Sequence, residues 1–205
     1  ILLVAPSFDI LGGQSIQASR IRKEMESVAD VDMRFLPINP RLPGPLQWLK
    51  KIRYVRTAAN FIHYFLLLLG GAARADLLHI FSASYWSYNF WALPAILVGR
   101  AFGKKVILNY RDGQCADHMR NWPSALPTVR WAHAVVTPSG FLVDVFAEFG
   151  IAAREIRNFI DVSRFQWRDR GPLRPVFMTN RILEPLYNVP CILRAFRRIQ
   201  DRYPE

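Results

Sequence analysis

The chain has 205 residues, of which 51% are hydrophobic, and a formal net charge of +11. That composition suits a folded globular core of one domain or slightly more. The 2 cysteines, Cys115 and Cys191, exclude a disulfide framework and point to a reducing, cytoplasmic compartment.

Three partners could answer the basic charge: nucleic acid, an anionic membrane surface, or the phosphates of a nucleotide-type ligand. No zinc-knuckle, RNP-like or helix-turn-helix signature accompanies it, so nucleic acid is not expected. No secretory signal is visible. Residues 1–5 open directly as a buried strand with no Met before them, so the sequence is expected to be a piece of a longer chain.

Residues 1–5 form a continuous apolar run of β type. Next, 14–28 places Ala18, Ile21, Met25 and Val28 at helical spacing, and Val31, Met33 and Phe35 alternate as in a strand. The stretch 41–71 sets Lys50, Lys51, Arg53 and Arg56 beside Trp48 and Tyr54, then runs into the apolar segment 61–69. That segment is well short of the ~20 residues that cross a bilayer. Its basic and aromatic mixture suits an interfacial helix on anionic lipid, or else a sheet-covering helix with a solvated basic face.

Further strands are expected at 76–81, 105–110 and 132–137, and helices at 87–102 and 139–149. Ser139 would cap the latter helix and Gly150 would end it. The span 166–175 has the charge, proline and glycine of a linker. A strand at 176–179 and a helix at 190–200 follow. Strands alternating with helices predict an α/β fold, a Rossmann-like parallel sheet with flanking helices.

Ligands of such sheets bind outside the carboxyl ends of the strands. After the first strand come Gly12, Gly13, Gln14 and Ser15, then a helix start. Paired glycines let the backbone approach a ligand closely and adopt positive φ, and the first helical amides can receive a phosphate. The pattern is neither GxGxxG nor a Walker loop, which argues against a dinucleotide fold or P-loop. A tight strand-to-helix turn is the plain alternative.

After 76–81 come Ser84, Tyr85, Trp86 and Ser87, which would line an acceptor pocket or cap a helix over a core aromatic. After 105–110 come Arg111 and Asp112. A guanidinium stays charged and cannot act as a base, whereas Asp112 can take or orient the proton of a hydroxyl. Alternatively, the two hold a loop as a pair. His118, on the same loop, is a further polar candidate or simply exposed. No metal-ligand cluster is evident.

The run Asn158-Phe159-Ile160-Asp161-Val162-Ser163-Arg164-Phe165, followed by Val176 to Thr179 and then Asn180-Arg181-Ile182-Leu183, resembles the interdomain crossing of GT4-type glycosyltransferases of GT-B fold. There a strand ends in Pro-Asn-(Gly)-Val-Asp-x-x-x-Phe, and the next domain opens on strand-Gly-Arg-Leu. The resemblance implies an N-terminal acceptor-side domain over 1–165, a linker over 166–175, and an incomplete, Rossmann-like donor domain over 176–205. It implies transfer of a sugar from a nucleotide-diphosphate sugar to a glycan or lipid-linked acceptor. That chemistry retains configuration and uses neither metal nor bound cofactor.

By the same resemblance Gly12 and Gly13 lie beside the donor diphosphate, and Arg181 contacts donor phosphates. Gln14, Ser84 and Arg111 then face the acceptor, with Asp112 and His118 as catalytic candidates. Several positions depart from the pattern, beginning with Arg157 and Phe159 in place of the Pro and Gly around Asn158. Phe81 replaces a second His of a His-x-His strand end, and Arg111 an acceptor-side His. Asn180 replaces the Gly of Gly-Arg-Leu, and Leu186 a phosphate-binding Lys. These departures keep two alternatives open: a GT-B half retained as a binding module, and a GT-B sugar epimerase or phosphorylase.

Overall fold

The computed structural model describes residues 1–10, 12–45, 48, 52–169, 171 and 176–204. They form two compact units, 1–160 and 161–205. In the first, six strands make one all-parallel sheet in the order β2-β1-β3-β4-β5-β6. The strands are β1 (Leu2–Ala5), β2 (Arg34–Pro37), β3 (Leu77–Ser82), β4 (Lys105–Tyr110), β5 (Ala134–Thr137) and β6 (Ala153–Glu155). Between them run α1 (Gly13–Met25), α2 (Arg53–Ala73), α3 (Tyr85–Ser87), α4 (Leu93–Ala101), α5 (Cys115–Asn121), α6 (Ala125–Val129) and α7 (Gly140–Glu148). The expected α/β fold with a Rossmann-like parallel sheet is the one that forms.

β1 is buried along its whole length because both of its faces are covered. Leu2 and Val4 join Tyr64, Leu68 and Ala72 of α2 and Ala95 and Ile96 of α4 in the larger core. Leu3 and Ala5 join Ala18 of α1 and Phe81 of β3 in a smaller core on the opposite face. A strand packed on two sides must be apolar at every position, which explains its unbroken run. Each such buried Leu stabilises by about 1.5–3 kcal/mol.

The chain passes from β1 outward to β2, returns across β1 to β3, and then moves steadily away. That single reversal leaves α1 on one face, while α2 and α4–α7 build the core on the other. A crevice opens at the reversal, outside the carboxyl ends of β1 and β3.

The helix expected over 87–102 is three pieces: α3, a π-helical turn at Tyr88–Ala92, and α4. Pro94 at the start of α4 has no N–H to give and cannot continue an α ladder, and the wide turn absorbs this break. α7 ends on Gly150 at φ +67°, as expected. Ser139 stands at its N-cap position, but its hydroxyl makes no capping bond.

In the second unit, Val162–Arg164 and Pro185–Tyr187 are single 3-10 turns and α8 spans Val189–Arg202. The strand expected at 176–179 does not form. Val176, Phe177 and Met178 are exposed, and no neighbouring strand pairs with them among the described residues. Without a ladder partner a strand has nothing to hold its backbone groups. Of the expected linker, Arg170 and 172–175 lie outside the described residues. So do Leu11 of the first loop and Leu46, Gln47, Leu49, Lys50 and Lys51 of the basic stretch.

Candidate functional site

A cavity of about 230 Å³ lies in the crevice at the β1/β3 reversal. The segment after β1 contributes Pro6, Ile10 and Gly12, α1 contributes Gly13 and Gln14, and the segment after β2 contributes Ile38. Phe81, Ala83 and Trp91 close the other side.

α1 begins at its edge. The helix has no acidic residue in its first turn and no side chain capping it, so its leading amides are open to an anion. The glycines leave this place free of side chains, and neither has a left-handed backbone. Gly12 has φ −164°, extended backbone open to any residue, which corrects the expectation of positive φ. A Cβ built on Gly13 would meet nothing within 4 Å, and one on Gly12 only Ser15 Oγ at 3.8 Å. Bare backbone therefore faces free space. Ser15 Oγ holds the loop behind it, through Ile10 O at 2.5 Å and Gly12 O at 2.9 Å.

The ends of β3 and β4 are bound together by Asp112. Its Oδ2 accepts from the Ser84 amide and its Oδ1 from the Gln114 amide, both at 3.0 Å. Ser84 is buried, and its hydroxyl lies 2.8 Å from Tyr110 OH, which lies 2.8 Å from His118 Nδ1. His118 is not an exposed loop residue, as one sequence reading allowed. It sits on α5 with 0% exposure, among the rings of Tyr85, Tyr88, Tyr110 and Trp122. Burial lowers its pKa to about 4, so it is neutral near pH 7.

Tyr85 beside it has φ +58°, a strained backbone for a bulky residue. Its hydroxyl donates to Asp117 at 2.7 Å, and that bond is the main reason its pKa rises to about 12. Neither Asp112 nor His118 lines the cavity.

Arg111 crosses from the sheet to the segment after β6. Its Nε donates to Asn109 Oδ1 at 2.9 Å, its Nη1 donates to Asn158 Oδ1 at 2.6 Å, and its Cζ stands 4.7 Å over the Phe81 ring. Asn109 Nδ2 in turn donates to His79 Nε2 at 3.1 Å. Burial, helped by the Arg111 charge, lowers the His79 pKa to about 4, so this histidine is also neutral. Phe159 is tied to α1 by Gln17 and by Arg20, which donates to its carbonyl.

The structure thus brings Gly12, Gly13 and Gln14 to one cavity, with Arg111 stacked behind its Phe81 wall. Ser84, Asp112 and His118 belong to the network under the neighbouring loops. Arg181 belongs to the second unit, where its Cζ lies 5.3 Å over the Tyr187 ring. Sequence reasoning missed Ile38, Trp91, Gln17 and Tyr110. The strand-end rule could have found Ile38, which directly follows β2. Among the described residues no group of three His, Cys, Asp or Glu could hold a metal ion. No protein-family model matches this chain, and no curated protein is significantly similar to it.

Proposed function

We propose that the 1–160 unit is the acceptor-side half of a GT4-like glycosyltransferase of GT-B type, using a nucleotide-diphosphate sugar. The observation that carries this reading is the cavity at the sheet reversal, into which side-chain-free Gly12 and Gly13 and the uncapped start of α1 open. A diphosphate fits such a place, since several amides and the helix dipole can meet its charge. Gln14 and the apolar wall of Phe81, Ala83 and Trp91 suit the less charged portion of a sugar substrate. Arg111 and Asp112 act here as positioning residues, Arg111 through Asn158 and Asp112 through the Ser84 amide. Arg181 is proposed as a donor-phosphate ligand on the sequence resemblance alone.

One observation favours a second reading, a GT-B half retained for binding. Both oxygens of Asp112 accept backbone amides and His118 is fully buried, so neither offers a base to the cavity.

Titration calorimetry with nucleotide-diphosphate sugars tests the shared core of both readings. Binding that inorganic diphosphate competes away is expected, weaker in Arg181→Ala. Absence of heat with every nucleotide sugar at millimolar concentration would sink both. Transfer of labelled sugar to an acceptor then separates enzyme from binding module.

A further inference from the structure

α2 departs from the ordinary pattern of a surface helix. Its inner face is core, through Tyr64, Leu68 and Ala72. Its outer face should be polar. Instead, Ile62 is 59% and Leu66 62% exposed, with Val55 exposed one turn or more before them. From Thr57 to Ala73 the helix contains no Asp, Glu, Lys or Arg. The solvated basic face that one sequence reading assigned to this helix is therefore absent from most of its length.

The apolar surface continues beyond α2. Trp86, 66% exposed, stacks on Phe90 at 5.7 Å. Phe90 meets Phe61 of α2 edge-on at 5.9 Å, and Phe61 stacks on Phe65 at 6.2 Å. Phe61 also lies 6.2 Å from Trp91, which lines the cavity. The band thus runs from the middle of α2 to the mouth of the crevice.

Along α2 and the stretch leading to it the charge has one sign, and at the Trp86 end of the band Asp117 is occupied by the Tyr85 hydroxyl. Between Asp32 and Asp76 the sequence has no acidic residue and 7 basic ones, with Lys50, Lys51, Arg53 and Arg56 immediately before or within the first turn of α2. Exposed Trp48 falls in the same stretch. An apolar helix face whose own stretch of sequence carries cations and no anions complements a lipid surface with anionic headgroups. Its side chains enter the acyl boundary while the cations meet the headgroups. Among the described residues no helix is long and apolar enough to cross a membrane, and the inner face of α2 is committed to the core. The helix must then lie along the surface.

We propose that the 1–160 unit docks on an anionic lipid surface through the outer face of α2 and the Trp86–Phe90 rings, with the mouth of the crevice beside the lipid. The docking needs only this face and stands apart from the sugar-transfer reading.

Co-sedimentation of the chain with vesicles of phosphatidylglycerol and phosphatidylcholine, against phosphatidylcholine alone, tests it. Binding to the mixed vesicles is expected, and it falls as the screening length drops from about 10 Å in 0.1 M salt to about 3 Å in 1 M. Ile62→Glu/Leu66→Glu should lower partitioning about tenfold or more, since two side chains lose their apolar burial. Both positions are exposed, so the melting temperature should hold. Arg56→Ser/Arg74→Ser provides a second variant that leaves the apolar face intact and should weaken binding to the anionic vesicles.

The proposal is overturned by absence of sedimentation at low salt, by equal binding to both vesicle types, or by undiminished binding of the glutamate double variant. It is also overturned if light scattering shows a dimer that the double variant dissociates while vesicles remain unbound. That outcome would make the face a protein interface.

Discussion

Gln17 and Phe159 stand 142 positions apart and exchange two hydrogen bonds: Gln17 Nε2 donates to the Phe159 carbonyl at 3.0 Å, and the Phe159 amide donates to Gln17 Oε1 at 3.3 Å. A side-chain amide here imitates a strand neighbour and fastens the segment after β6 onto α1. Gln17→Leu removes both bonds and leaves the partly buried Phe159 amide unpaired. The expected loss is about 1–2 kcal/mol, less than for a fully buried pair because water reaches Phe159. Urea denaturation should show it, together with faster proteolysis around 156–161. An unchanged midpoint and cleavage rate would mean the pair fastens nothing.

Gly13 separates stability from binding. Gly13→Glu replaces a poor helix former and puts a carboxylate at the positive end of α1, so the fold should gain about 1 kcal/mol. The same carboxylate fills the free space beside Gly13 and repels phosphate. Nucleotide-sugar affinity should fall about tenfold or more. A higher melting temperature with undiminished calorimetric binding would remove the phosphate from the start of α1.

Asp112 joins two loops through two backbone amides. Asp112→Ala should cost about 2–3 kcal/mol, because hydrogen bonds to a charged acceptor exceed neutral ones. Amide exchange at Ser84 and Gln114 should accelerate. Asp112→Asn keeps one acceptor oxygen and should retain much of the stability and any transfer activity. A fully folded but inactive Asp112→Asn would instead make Asp112 a catalytic base.

His118 makes the fold sensitive to acid. Its folded pKa of about 4 lies below the unfolded value of 6.5, so the unfolded chain takes up the proton first. The contribution is fully present above pH 6.5 and is lost as pH falls from there towards 4. By pH 5 the loss is on the order of 1–2 kcal/mol. His118→Phe fits the ring cage and should flatten the pH dependence across this window, whatever its own stability. Melting temperatures from pH 4 to 8 give the answer. Equal slopes for the two proteins would exclude His118 as the source, leaving His79 and His133, whose pKa values are lowered in the same direction.

The sheet was legible because a parallel strand covered on both faces leaves an unbroken apolar run, as Leu2–Ala5 does. β2 was legible as an element but not in its bounds. The alternation of Val31, Met33 and Phe35 suggested an earlier start, while pairing of Leu2 with Arg34 sets where the ladder begins. The cavity floor at Gly12 and Gly13 followed from the strand-end rule. Its far wall did not, because Trp91 arrives from a π-helical turn created by Pro94. The burial of His118 was illegible for a related reason. Its cage brings Tyr85 and Tyr88 from the segment after β3 and Tyr110 from the end of β4 to join Trp122 at the end of its own helix. At 176–179 apolar composition suggested a strand, but composition cannot supply the neighbour that a strand requires.

The sheet also has margins, and both are blunt. β2 has only four residues and finishes on Pro37, whose ring nitrogen has no hydrogen to donate, and β6 has three, including the charged Arg154 and Glu155. Short, charged or proline-ended margins give another copy little backbone on which to add a strand. Crowded copies of this chain therefore have little means of growing into a continuous sheet, and their self-association would have to proceed through side chains.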